Sequence, residues 1–171
     1  MSMSRASISV FEIGLNALAA LLDKAEAYAQ AKRIDAAVLL NTRLFPDMFA
    51  LTRQVQAACD QAKNAAARLA RVDPPRYEDT EKSITELKAR MAKTIVYLKT
   101  LDAKQIDASA EREITFPLGP MKAHMRGAEY LNHFALPNFH FHLATAYAIL
   151  RHCGVDIGKR DFLGDIPMRT T

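Results

Sequence analysis

A chain of 171 residues, 50% apolar and 25% charged, with only 6 Gly and 7 Pro, has the make-up of one domain spanning 1–171 with a sizeable core. These figures exclude a disulfide-stapled miniprotein, a collagen-like or low-complexity chain, and disorder. The net charge of +4 comes from basic residues scattered from Arg5 to Arg169 without a run of five, so no nucleic-acid footprint is visible.

Arg5, Glu12, Asp23 and Lys24 interrupt the apolar positions near the start. Neither a signal-peptide core nor a membrane span is expected, and a cytoplasmic location follows by default. From about Ser7 to Ala31, Ile8, Phe11, Leu15, Leu18, Leu22 and Ala25 step by three and four, which predicts an amphipathic helix with Ser7 as N-cap. The connector from Lys32 to Arg43 has room for a helical turn at Ala36 to Leu40. Leu44, Met48, Leu51, Val55, Ala58, Ala62, Ala65 and Leu69 then form a sharper seam of bundle type, ended by Pro74 and Pro75. Cys59 on this seam, and Cys153 further on, read as reduced core thiols.

Thr80 precedes a third helix, about Glu81 to Leu101, with Ile84, Leu87, Met91, Ile95, Leu98 and Leu101 on one stripe and a solvated charged face opposite. Between Asp102 and Gly127 the pattern changes. Glu113 to Phe116, the turn Pro117-Leu118-Gly119-Pro120, and Met121 to Met125 predict a short hairpin or an ordered crossover. A last helical region, about Ala128 to Cys153, carries Phe139, Leu143, Ala146, Leu150 and Cys153 as its stripe and stops at Gly154. Pro137 either kinks it or opens a new helix. The tail from Val155 to Thr171 reads as coil packed on the helices. Four long amphipathic patterns predict an all-α four-helix bundle with at least one connection long enough to cross it.

Four of the five histidines, His133, His140, His142 and His152, lie in this last region. His140 and His142 are two apart, about 200° round a helix, so at most one faces inward. Asn138 and His142 are four apart and share a face, the spacing at which two side chains reach one ion. A hydrogen-bonded core histidine is the simpler alternative. Asp47, placed by the seam in the first turn of the second helix, reads as a cap or a partner of the helix dipole. Turned slightly inward, it would face Asn138 and His142. No nucleophile elbow and no Gly-rich phosphate loop is present.

The stretch Pro137-Asn-Phe-His-Phe-His142 through Leu150-Arg151-His-Cys-Gly154, with Arg43-Leu-Phe-Pro-Asp47-Met48 and Gly158-Lys-Arg-Asp-Phe-Leu-Gly164, resembles an uncharacterised branch of the DinB/YfiT-like superfamily. The resemblance implies a four-helix bundle of that type. Its better-known members hold a divalent metal through three histidines, one on the second helix and two at i, i+4 on the fourth, and several are thiol-dependent transferases or isomerases. Counting back from Gly154 puts the second of that pair at His142, the first at Asn138, and the second-helix ligand at Asp47. Two of the three ligands therefore depart from the pattern, which implies a Zn, Ni, Mn or Fe ion bound weakly or not at all.

Two functions are weighed on this basis. One is a small-molecule or thiol-transfer enzyme with a degenerate Asp47/Asn138/His142 metal site and unknown catalytic groups, in which Arg43, Tyr147 and Arg151 bind substrate. The arginines read more simply as surface or helix-end charges. The other is a non-catalytic homodimeric binding or stress-response module without metal. No membrane or nucleic-acid partner is expected in either.

Overall fold

The computed structural model describes residues 2–168, and its long helices follow the apolar stripes of the sequence. Helix α1 (Val10–Lys32) continues from a π-helical segment at Arg5–Ser9 and buries Phe11, Leu15, Leu18, Leu22 and Ala25 along one face. Ser7 is buried inside this run and donates its hydroxyl to Met3 O at 2.7 Å, so it is not the N-cap that its position suggests. Against the expectation of no membrane span, the helix Arg5–Lys32 is by length and composition long and apolar enough to cross a membrane, because its charges lie towards its ends, with Glu12 standing singly between them. In the fold its apolar stripe belongs to the core.

Helix α2 (Ala36–Asn41) starts at Asp35, whose carboxylate accepts from Ala37 N at 2.9 Å. Helix α3 (Leu51–Leu69) begins later than the seam predicts, because Phe45 to Met48 form a turn closed by Met48 N donating to Phe45 O at 3.0 Å. Proline at the second place of such a turn is favoured, since its fixed φ suits that position. Leu44, a seam residue in the heptad reading, is 40% exposed.

Helix α4 (Ile84–Thr100) is capped by Ser83 and not by Thr80. Ser83 Oγ accepts from Glu86 N at 3.2 Å while Glu86 Oε2 accepts from Ser83 N at 3.1 Å, a reciprocal box that satisfies two otherwise orphaned amides. Arg90 on α4 ties down the preceding loop. Its buried guanidinium donates to Glu78 O at 2.9 Å, Glu81 Oε1 at 3.0 Å and Asp60 Oδ1 of α3 at 3.0 Å.

After α5 (Ala103–Asp107), strands β1 (Glu113–Leu118) and β2 (Met121–Arg126) pair antiparallel, with Glu113 opposite Arg126 and Leu118 opposite Met121. Gly119 has φ 57° at the first place of the two-residue turn, and Pro120 cannot follow it to positive φ, which leaves the type II′ geometry that suits a hairpin's twist. Ile114 and Phe116 alternate into the core. The chain then runs through α6 (Gly127–Glu129) and a π-helical segment at Tyr130–Ala135 into α7 (Leu136–His152). Pro137 has no amide to return to the preceding turn, so the ladder widens just ahead of it and the helix axis carries on. Gly154 at φ 89° ends α7, Val155 and Ile157 pack down, and α8 (Lys159–Leu163) follows.

The fold is thus mostly helical with a small two-stranded sheet. Helix α3 packs on α4 and α7, and α1 packs on the same two, so the four long helices enclose one hydrophobic core. Alanine at 57, 58, 62, 65, 66 and 67 of α3 is buried and lets neighbouring backbones come close.

Candidate functional site

Helix α7 directs Phe139, Leu143, Ala146 and Leu150 into the core, and His142 lies at the edge of that stripe, 9% exposed. Facing it from α3 is Gln54, which is buried. His142 Nδ1 lies 2.8 Å from Gln54 Oε1, and the amide Nε2 of Gln54 donates to Phe49 O at 3.3 Å. An amide oxygen only accepts, so the imidazole donates from Nδ1–H and keeps its lone pair on Nε2. Burial pushes the His142 pKa below the ordinary histidine value, and the nearby Arg53 cation pushes it the same way. The ring is therefore neutral near pH 7.

Aromatic groups border this imidazole. Phe49 lies nearly parallel to it at 6.5 Å between centroids, Phe141 meets it edge-on at 5.3 Å, and the Arg53 guanidinium sits 5.6 Å from the Phe49 ring centre. Phe49 and Phe141 are at least half exposed, as is Phe45 in the turn that leads into α3. His140, two residues before His142, is exposed and lies with Nδ1 2.8 Å from Leu136 O of its own helix.

Asp47 occupies the third place of the Phe45–Met48 turn, is exposed, and caps no helix, because the N-cap position of α3 is Ala50. That differs from the first-turn position read from the seam; Pro46 breaks the heptad before α3 begins. Asn138 and His142 do share a face of α7, but Asn138 Nδ2 is committed to Phe134 O at 2.7 Å, which leaves only its carbonyl oxygen for a ligand. Among the described residues no hydrogen bond or ion pair joins Asp47 to Asn138 or His142. No group of three His, Cys, Asp or Glu side chains among them stands close enough to hold a metal ion. One imidazole nitrogen with amide and carboxylate oxygens is a poor donor set for Zn²⁺ or Ni²⁺.

Arg43 lies exposed in the loop after α2. Tyr147 is half-buried against Phe162 of α8, with ring centroids 5.7 Å apart, and Arg151 reaches Val155 O at 3.4 Å beyond the end of its own helix. These two lie about 140° and 180° round α7 from His142, so the helix carries them away from the imidazole. The residues that the structure does bring to His142, namely Gln54, Phe49 and Arg53, were missed at the sequence level. Gln54 had a visible signal: it falls on the stripe Leu51, Gln54, Val55, Ala58 as the one polar member of a core-facing run.

Compared with known proteins, residues 3–163 match the family described as Domain of unknown function (DUF1993). A crystal structure of a DinB family member protein from Shewanella denitrificans superposes with a TM-score of 0.91 at 40% sequence identity, covering 98% of this chain and 95% of that one. No curated protein matches.

Proposed function

This chain belongs to the DUF1993 family and is a DinB-like domain of unknown function; from that premise we propose that it binds a small molecule or thiol on the face around His142, with neutral His142 as the reactive group. The observation that carries the proposal is the 2.8 Å contact from His142 Nδ1–H to Gln54 Oε1. Orienting one ring nitrogen through a hydrogen bond at the other is how proteins present an imidazole as base or ligand. Nε2 accepts a proton from a hydroxyl or thiol of the bound molecule, and the nearby Arg53 cation, itself paired with Asp79 at 2.6 Å, lies beside the Phe49 ring. Asp47, Asn138 and His142 together would hold a divalent ion only through one nitrogen and weak oxygen donors, so no step here runs through a metal.

The same proposal takes residues 1–171 as one domain, a four-helix bundle of DinB/YfiT-like type whose long crossover between the third and fourth helices carries the hairpin, in a cytoplasmic protein. Substrate contacts from Arg43, Tyr147 and Arg151 are not needed for it. Metal analysis of untagged protein purified without chelator tests the metal-free character. Substoichiometric Zn, Ni, Mn and Fe, with no uptake on titration, is expected. A near-stoichiometric metal lost in both Asp47→Ala and His142→Ala would restore the metalloenzyme reading.

One observation favours a second reading, a homodimeric binding module: Phe49 and Phe141, which are 50% and 56% exposed, place apolar surface beside the imidazole, and Phe45 in the turn ahead of α3 is 63% exposed. A second copy seated there would cover it, and Phe45→Ser with Phe141→Ser would then convert a dimer to a monomer in sedimentation.

A further inference from the structure

A groove of about 380 Å³ lies where the C-terminal end of α3 meets β1, and three arginines line it, Arg68, Arg71 and Arg112. Two of their guanidinium groups are held in place. Arg68 Nη1 donates to the phenol oxygen of buried Tyr130 at 2.9 Å, and Arg112 Nη2 donates to Arg68 O at 3.0 Å and to Leu69 O at 2.6 Å. That second pair of bonds also satisfies two carbonyls at the end of α3, so their partial negative charge does not oppose an anion in the groove. The third arginine follows the C-cap of α3 in the left-handed region, at φ 59°, where glycine is the usual occupant. An arginine in that conformation is strained, and it is held there by Val72 N donating to Ala67 O at 3.0 Å.

None of the three arginines stands in an ion pair among the described residues. The one acidic side chain lining the groove is Glu113, which also lies 3.5 Å from His124. Three positive charges against one negative charge suit a dianion. Planar guanidinium forks fixed in advance match the tetrahedral oxygens of phosphate and lose little freedom on binding.

We propose that this groove binds the phosphate group of a small soluble phosphate monoester. It lies apart from the His142 face, so the assignment stands independently of the reading above. The test is calorimetric titration with inorganic phosphate and with glycerol 3-phosphate at constant ionic strength, on the parent and three variants. Saturable binding of both probes is expected, weakened by about tenfold or more in Arg71→Glu, since a charge-assisted hydrogen bond is lost and a repulsive charge gained. Arg33→Glu is the control: Arg33 has the same left-handed conformation at the end of α1, φ 56°, without the other two arginines, and its change leaves binding intact. Arg71→Gly separates folding from binding, because relief of strain raises its Tm while its affinity falls. Absence of saturable binding by folded parent protein, or equal loss in Arg33→Glu and Arg71→Glu, would overturn the proposal. So would capture by phosphatidate vesicles with no binding of the free monoester.

Discussion

His142 and Gln54 form a pair in which each residue limits what the other does. With its amide nitrogen donating to Phe49 O, Gln54 has only its oxygen to offer, and that oxygen selects the Nδ1–H form of the ring. Because burial and Arg53 lower the folded-state pKa of His142 below the ordinary 6.5, the unfolded chain binds more protons than the folded one between those two values. The stability this residue contributes is therefore full above about pH 6.5 and is lost as pH falls through that window to the folded pKa. Urea unfolding of His142→Gln is expected to show a flatter dependence on pH below about 6.5 than the parent; parallel curves would contradict it. Sequence spacing put Asn138 and His142 on one face and allowed at most one of His140 and His142 to point inward, and the family resemblance then singled out His142. Gln54 stood out only as a polar member of a core-facing stripe, and its pairing with His142 depends on how α3 and α7 meet. Asp47 went astray for a different reason: Leu44 and Met48 extend the heptad by coincidence, whereas the chain obeys Pro46.

At the scale of elements, apolar periodicity located all four long helices, since each must bury a stripe against its neighbours whatever the ends do. Their ends were less legible. Ser83 outcompetes Thr80 as the cap of α4 because Glu86 stands three residues on to complete the box. Ser7 lies inside a continuous helical run that is already helical at Met3 and Ser4. The hairpin was legible from its turn residues, but its docking was not. Gly127, at the exit of β2, is in such close contact that a Cβ built there would lie 2.0 Å from Ser109 O, and its amide donates to Arg112 O at 2.8 Å. Gly127→Ala is thus expected to lower stability by about 3 kcal/mol, the upper part of the range for overpacking. Gly158→Ala, where a Cβ meets nothing within 4 Å, is expected to stay within about 0.5 kcal/mol of the parent. Denaturant unfolding of both distinguishes the two environments, and equal effects would mean that the α5 to β2 region yields readily.

Across the whole molecule, one framework of four long helices presents two polar places of opposite character. Near the start of α3, one neutral imidazole sits beside exposed aromatic rings; at and beyond the end of the same helix, three arginines line a groove and, among the described residues, form no ion pair. The 40% identity and TM-score of 0.91 with the Shewanella denitrificans protein make the DinB-like framework secure. Framework similarity transfers no chemistry, and the donors present at His142 differ from a three-histidine centre. The departures at positions 47 and 138 are what the resemblance implies, whereas the histidine–glutamine pair depends on how α3 and α7 come together. The most direct measurement is nitrogen NMR of the His142 ring at pH 7 in the parent and in Gln54→Ala. The parent is expected to show a neutral ring protonated at Nδ1 with a free Nε2, and Gln54→Ala to lose that preference. A parent ring that is doubly protonated at pH 7, or protonated at Nε2 alone, would contradict the assignment of His142 as the reactive group.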